Sequence, residues 1–193
     1  TIRDSDTSSN DDTGVFIEPS SSETITVESN KIENIKTGIQ TATGGTGTAK
    51  VSGNEFSGQV DIGVSIQGDR NAVVESNTFS STTTDIGIAV GNGGDNDADV
   101  AADAVRDNTI QISSVPTDLS FLPVGIDITE GSINDVTGNS ITGPEGIDDV
   151  RLEGTGTVTS IAGNSGTNSQ LQYLLDNNDI TTTNPATVSD VQL

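Results

Sequence analysis

A six-fold internal repeat constrains this chain more than any other feature. The segments are VESNKIENIKTGIQ from Val27, VSGNEFSGQVDIGVSIQG from Val51, VESNTFSSTTTDIGIAVG from Val74, VRDNTIQ from Val105 continuing to VGIDITEG from Val124, VTGNSITGPEGIDDVRLEG from Val136, and the degenerate SIAGNSG around Ile161. Their shared pattern reads V-x-x-N-x-[I/F], a short polar gap, then G-[I/V]-x-[I/V]. The Asn column comprises Asn30, Asn54, Asn77, Asn108, Asn139 and Asn164, spaced 24, 23, 31, 31 and 25 residues apart, the two long intervals carrying inserted loops. A unit of about 23 residues holding two or three alternating apolar stretches and fixed turn residues is the size of one coil of a β-solenoid, and is too short for a propeller blade.

Each slot in the pattern has a physical role. Val51, Phe56, Ile62, Val64 and Ile66 are expected to point inward, with Val74, Phe79, Ile86, Ile88 and Val90 stacked on them one coil later, at ~4.8 Å per coil. Phe56 over Phe79 predicts a two-ring stack. An Asn side chain at a turn can bond its counterparts and the adjacent backbone, so the Asn column predicts a ladder. Gly38, Gly63, Gly87, Gly125 and Gly146 recur before a strand, where a positive φ or a close approach between coils excludes a Cβ.

These motifs resemble the right-handed parallel β-helix, the pectate-lyase-like fold, over roughly residues 24 to 166. The resemblance implies an all-β, single-stranded right-handed parallel β-helix of about six rungs. Residues 1–22, rich in Ser, Asp and Thr, are expected as an extended lead-in or linker, 23–166 as the β-helix, and 167–193 as a C-terminal cap or assembly segment. Within the last, Asn168 to Asp179 predicts a short helix with an apolar stripe of Leu171, Leu174 and Leu175. The resemblance implies little about activity, since the same coil serves lyases, viral tailspikes, adhesins and surface-layer proteins.

Composition decides between a folded and a disordered reading, and excludes much chemistry. Hydrophobic residues make up 30% and aromatics 3% of the 193 residues, with a net charge of −22, the usual signature of disorder. The strict alternation of Val and Ile opposes it, because a solenoid buries aliphatics between neighbouring coils. Asp supplies 20 of the 29 acids and Lys only 3 of the 7 bases. That balance resembles proteins of extreme halophiles, where a carboxylate surface stays hydrated at molar salt. Without Cys or His there are no disulfides, no thiolate or imidazole metal sites and no Ser-His-Asp triad. The charge repels nucleic acid and anionic membrane, and no apolar stretch reaches the length of a membrane span. Starting at Thr1 without a Met, the chain reads as a mature product or part of a longer polypeptide. None of its 16 Asn begins an N-x-Ser/Thr sequon.

Candidate sites are acidic. Aligning rungs on their glycines puts Asp127 over Asp148, with Asp149 and Arg151 close by. Outward carboxylates on adjacent rungs would lie ~5 Å apart, the separation of a retaining glycosidase pair. Arg151 would otherwise salt-bridge Asp149. Asp61 and Asp85 form a similar pair one strand earlier, which points to composition rather than to catalysis. Asp95, Asp97 and Asp99 alternate in the first insertion, a spacing that can aim oxygens at one Ca²⁺, although an EF-hand would need Gly and Glu where Val100 and Arg106 stand. The second insertion carries Val115, Leu119, Phe121 and Leu122, an apolar loop suited to the solenoid flank or to an interface. Scarce aromatics and the lack of a Gly-His-Gly element weigh against a glycan-active enzyme.

The function expected is a non-catalytic structural or adhesive module of an extracellular surface structure, fibre or virion of a halophile, with no required cofactor and calcium as an optional ligand. Its partners would be further copies, a trimer as one case, or a cell-surface glycan or surface protein, not nucleic acid. A polysaccharide-active glycosidase or lyase using Asp127 and Asp148 is the alternative, and a calcium-dependent binding module the weaker one.

Overall fold

The structure is a computed structural model that describes residues 2–3, 12–20, 23–41, 47–67, 71–81, 85–91, 101–113, 123–129, 131–144, 147–152, 157–166 and 173–175. A partial first rung consists of β1 (Ile2–Arg3) and β2 (Thr13–Ile17). Two three-stranded rungs follow, β3 (Thr24–Glu28), β4 (Lys31–Glu33), β5 (Thr37–Thr41), and β6 (Thr48–Ser52), β7 (Glu55–Gly58), β8 (Ile62–Ile66). The middle rungs are β9 (Asn71–Glu75), β10 (Thr78–Ser81), β11 (Ile86–Val90), and β12 (Ala101–Arg106), β13 (Thr109–Gln111), β14 (Val124–Ile128). The last two are β15 (Ser132–Thr137), β16 (Ser140–Thr142), β17 (Asp148–Leu152), and β18 (Thr157–Ala162), β19 (Ser165–Gly166), β20 (Tyr173–Leu175).

Every strand pairs, in parallel, with the strand three along the chain, giving three sheets. Sheet A runs β1-β4-β7-β10-β13-β16-β19, sheet B β2-β5-β8-β11-β14-β17-β20, and sheet C β3-β6-β9-β12-β15-β18. The core between them is almost wholly aliphatic, with Val51, Val74, Val105 and Val136 stacked from sheet C and Ile32, Phe56, Phe79, Ile110 and Ile141 from sheet A. Phe56 and Phe79 stack with centroids 4.5 Å apart and planes 5° apart, as expected.

The turn from sheet C to sheet A explains the most regular part of the pattern. The residue before each ladder Asn has a left-handed backbone, with φ of 56° at Ser29, 62° at Gly53, 57° at Ser76, 55° at Asp107, 66° at Gly138 and 65° at Gly163. Glycine adopts this conformation freely, and Ser and Asp tolerate it as single residues. The chain thereby turns the Asn inward, where Asn54, Asn77, Asn108 and Asn139 are fully buried. Asn77 is representative. Its N–H and Nδ2 both donate to Asn108 Oδ1 at 3.0 Å, Nδ2 donates to Val51 O at 3.0 Å, and its Oδ1 accepts from Asn54 N and Nδ2 at 2.9 and 3.1 Å. The amide is saturated by the rungs on either side of it.

Three expectations change. The expected lead-in to residue 22 contains β1 and β2, paired to β4 and β5, so these strands belong to the solenoid. Tyr173–Leu175, expected in a helix, is a strand paired with Val150–Leu152, because the edge of β17 offers backbone partners that a helix cannot use. Ile62 is only partly buried and stands outside the core cluster, whereas Ile86 is buried as expected. At Gly63 and Gly87 the glycine and the following Val64 or Ile88 are buried together, so the strict alternation is interrupted there. Leu171, and the apolar loop residues Val115, Leu119, Phe121 and Leu122, lie outside the described residues.

Candidate functional site

Asp127 sits mid-strand in β14 on the outer face of sheet B, yet is only 2% exposed. Its register partner on β17 is Arg151, while Asp148 falls opposite Val124. The Arg151 guanidinium grips the carboxylate with both prongs, Nε to Oδ1 at 3.0 Å and Nη2 to Oδ2 at 2.7 Å. Planar two-point pairing of this kind is the strong form of an ion pair, and it occupies both carboxylate oxygens. The expected juxtaposition of Asp127 with Asp148 is therefore corrected to Asp127 with Arg151, and the Arg151 guanidinium, expected to bridge Asp149, pairs with Asp127.

The correction has one cause. The glycine column runs Gly38, Gly63, Gly87, Gly125 and then Asp149, not Gly146, because a Cβ built on Gly125 would meet the Asp149 carbonyl oxygen at 2.6 Å. Asp149 thus points into the solenoid, 6% exposed. The sequence carried the signal: D-V-R-L at Asp149–Leu152 matches G-I-D-I at Gly125–Ile128 and G-I-A-V at Gly87–Val90 once the glycine is not required.

The second acidic pair is genuinely stacked. At the corner leading into sheet B, Asp85 N–H donates to Asp61 O at 3.0 Å, and the column continues upward through Lys36 and Asp12, whose carbonyls accept from Ile62 and Thr37. Burial pushes both carboxyls above their usual range; Lys36 partly offsets this at Asp61, while the Asp61 charge adds to it at Asp85. On sheet C, Glu75 lies between two bases, with Lys50 Nζ at 2.8 Å and Arg106 Nη2 at 2.7 Å. Hydrogen bonds from Lys50 and then Arg106 hold the Glu75 carboxyl below its usual range. This three-rung ion ladder was not anticipated; the register of the V-x-x-N pattern, which stacks Ser52, Glu75 and Arg106, is the signal for it.

Asp95, Asp97 and Asp99 lie outside the described residues. Among the described residues no three acids converge as metal ligands would, and no helix is long and apolar enough to cross a membrane. Chemically, the described polar groups are structural partners of one another: an amide ladder, a buried ion pair, an ion ladder and an acid column.

No curated protein and no solved structure matches the chain. A family model described as "Right handed beta helix region" matches residues 1–180. With three parallel sheets coiled around one aliphatic core and a family match across nearly all its length, the chain belongs to the right-handed β-helix family.

Proposed function

We propose that this β-helix is a non-catalytic structural or adhesive module of an extracellular surface structure, fibre or virion of a halophile, working by rigid display in multiple copies, a trimer being one such assembly. The observation that carries the reading is the Asp127–Arg151 pair: a carboxylate buried on the outer face of sheet B is committed to a cation on the next rung, leaving it neither the free oxygen of a nucleophile nor the open face of a general acid. Calcium, a cell-surface glycan and a surface protein belong to the same proposal as ligands of the display surface.

Two measurements test it. Incubation with acidic polysaccharides at molar salt, with and without Ca²⁺, is expected to yield no new reducing ends and no unsaturated uronates; robust turnover overturns the structural reading. Thermal melts across salt concentrations are expected to show stability rising with monovalent salt, as repulsion within a chain of charge −22 is screened. Equal melting temperatures in low and molar salt remove the halophile part of the proposal.

A further inference from the structure

The three sheets do not end level. Among the described residues β1 covers β4 in sheet A and β2 covers β5 in sheet B, while β3 is itself the outermost strand of sheet C on that side. The result is a step one strand deep, and burial records it. Ile32 and Ile39, beneath β1 and β2, are fully buried. In sheet C, Ile25 is only partly buried where its partner Ala49 is fully buried, Val27 is 8% exposed against 0% for Val51, and Asn30 is partly buried against 1% exposed for Asn54.

The amide ladder reaches the same step with a definite polarity. Asn54, Asn77 and Asn108 each reach back with Nδ2 to a Val carbonyl of the rung above, Val27 O at 2.9 Å, Val51 O at 3.0 Å and Val74 O at 3.0 Å. Their Oδ1 atoms accept from the N–H and Nδ2 of the Asn above, as Asn54 Oδ1 does from Asn30 at 3.0 and 3.2 Å. Asn30 makes the bonds to its own rung and the one below, to Glu28 O and Asn54 Oδ1, and among the described residues none to a rung above. It is short of one backbone carbonyl and two N–H donors, the set that a strand ending in V-x-x-N supplies to every rung below it.

We propose that the outer edge of β3, together with Asn30, is a strand-binding site for one extended segment of a partner polypeptide with the sequence V-x-[S/G/D]-N, lying parallel to β3. The molecule specifies this occupant itself, since the corresponding edges of β6, β9, β12 and β15 are each covered by such a segment. The Val caps the Val27 column and offers its carbonyl to Asn30 Nδ2, while the Asn gives its N–H and Nδ2 to Asn30 Oδ1. The third residue takes the left-handed backbone seen at Ser29, Gly53 and Asp107, which is why Ser, Gly or Asp is required there. Its N–H donates to Glu28 O as Ser29 and Gly53 donate to Ser52 O and Glu75 O. The x residue stacks on the exposed Glu28, so a base at x repeats the pairing of Arg106 with Glu75. β1, with Ile2 opposite Ile32, holds the place that follows, so the contacts of the segment end at its Asn. Main-chain bonds to the edge supply affinity and the two columns supply selectivity.

Titration of the full chain with a peptide of the sequence Thr48–Asn54 carrying Ser52→Arg, followed by NMR, tests this. Saturable shifts are expected at the Thr24–Asn30 amides and the Asn30 side-chain amide, with β15 and β18 unmoved. Asn54→Ala in the peptide is expected to weaken binding about ten-fold, through loss of the bonds to Asn30, and Asn30→Ala in the protein to do the same. Should Asn30→Ala fail to fold, the peptide variant carries the test on the unchanged chain. No saturable shift overturns the site, and so does equal binding of the Asn54→Ala peptide, which would make the edge a non-selective one. Shifts of the same amides that grow with protein concentration in the absence of peptide would assign the edge to a second copy and overturn the partner strand.

Discussion

The solenoid carries two columns in which like polar residues stack on one another, and the two behave oppositely. In the Asn column, each amide is both donor and acceptor, so repetition saturates every member and lets Asn54, Asn77, Asn108 and Asn139 lie fully buried. In the corner column, Asp61 and Asp85 are acceptor-only when ionised, so repetition sets like charge over like charge and burial raises both pKa values. The lesson is that a parallel stack rewards a residue complementary to itself and penalises one that is not. Where an acid must be buried, as at Asp127, the chain supplies a base one rung along.

The sharpest way to break the comparison is to turn one column into the other. Asn77→Asp removes both Nδ2 donors and points a carboxylate at Asn108 Oδ1, Val51 O and Glu75 O; a loss of about 4 kcal/mol is expected from a buried, unsatisfied charge in a coupled network, measured by denaturant melts. Next in size is Arg151→Met, which leaves the Asp127 carboxylate buried without its cation and should cost about 3 kcal/mol, with Asp127→Leu/Arg151→Met recovering most of it. Should the single change be silent, the pair contributes nothing to the fold.

Two smaller effects sharpen the comparison. Ser76→Gly, at a left-handed φ of 57°, leaves the Asn ladder in place and should stabilise by ~1 kcal/mol, because Gly meets no Cβ penalty there. Asp85→Asn makes the acid column more like the amide one. A carboxyl whose folded pKa is raised favours the folded state fully only below its unfolded value, about 3.9, and that contribution is lost as pH rises through the folded value. Asp85→Asn is therefore expected to raise the melting temperature at neutral pH, more so at low salt, with the difference vanishing toward pH 3. A gain that is the same at all pH values would assign the effect to something other than ionisation. Glu75 has the opposite sign, since its lowered pKa gives stability present at neutral pH and lost on acidification.

The parts of this architecture legible in sequence are those where one residue type recurs at every rung. Alternating Val and Ile, the Asn column and the Phe56–Phe79 stack are read directly from the repeat, because each rung repeats the same environment. What was misread lies where the repeat is broken. Asp149 replaces a glycine, so alignment on Gly146 shifts the rung of β17 by three residues and sets Asp127 over Asp148 rather than over Arg151. β1 and β20 are two- and three-residue strands at the ends, too short for alternation to show, and held by pairing to a neighbour rather than by local propensity. The ion ladder of Lys50, Glu75 and Arg106 is not legible from the motif because only Glu75 and Arg106 share a column, while Lys50, opposite Val73, reaches Glu75 from two residues along its strand.

The uniform connection of each strand to the strand three along has a kinetic meaning. Adding a rung closes a loop of 23 to 31 residues, measured between ladder Asn residues, at every step of the solenoid. Loop-closure entropy grows only logarithmically with loop length, so each step faces nearly the same entropic cost, and the separation between contacting residues does not increase as the rod lengthens. Any adjacent pair of rungs is then an adequate nucleus, and the time to complete the structure should scale with the number of rungs rather than with the span of the whole chain.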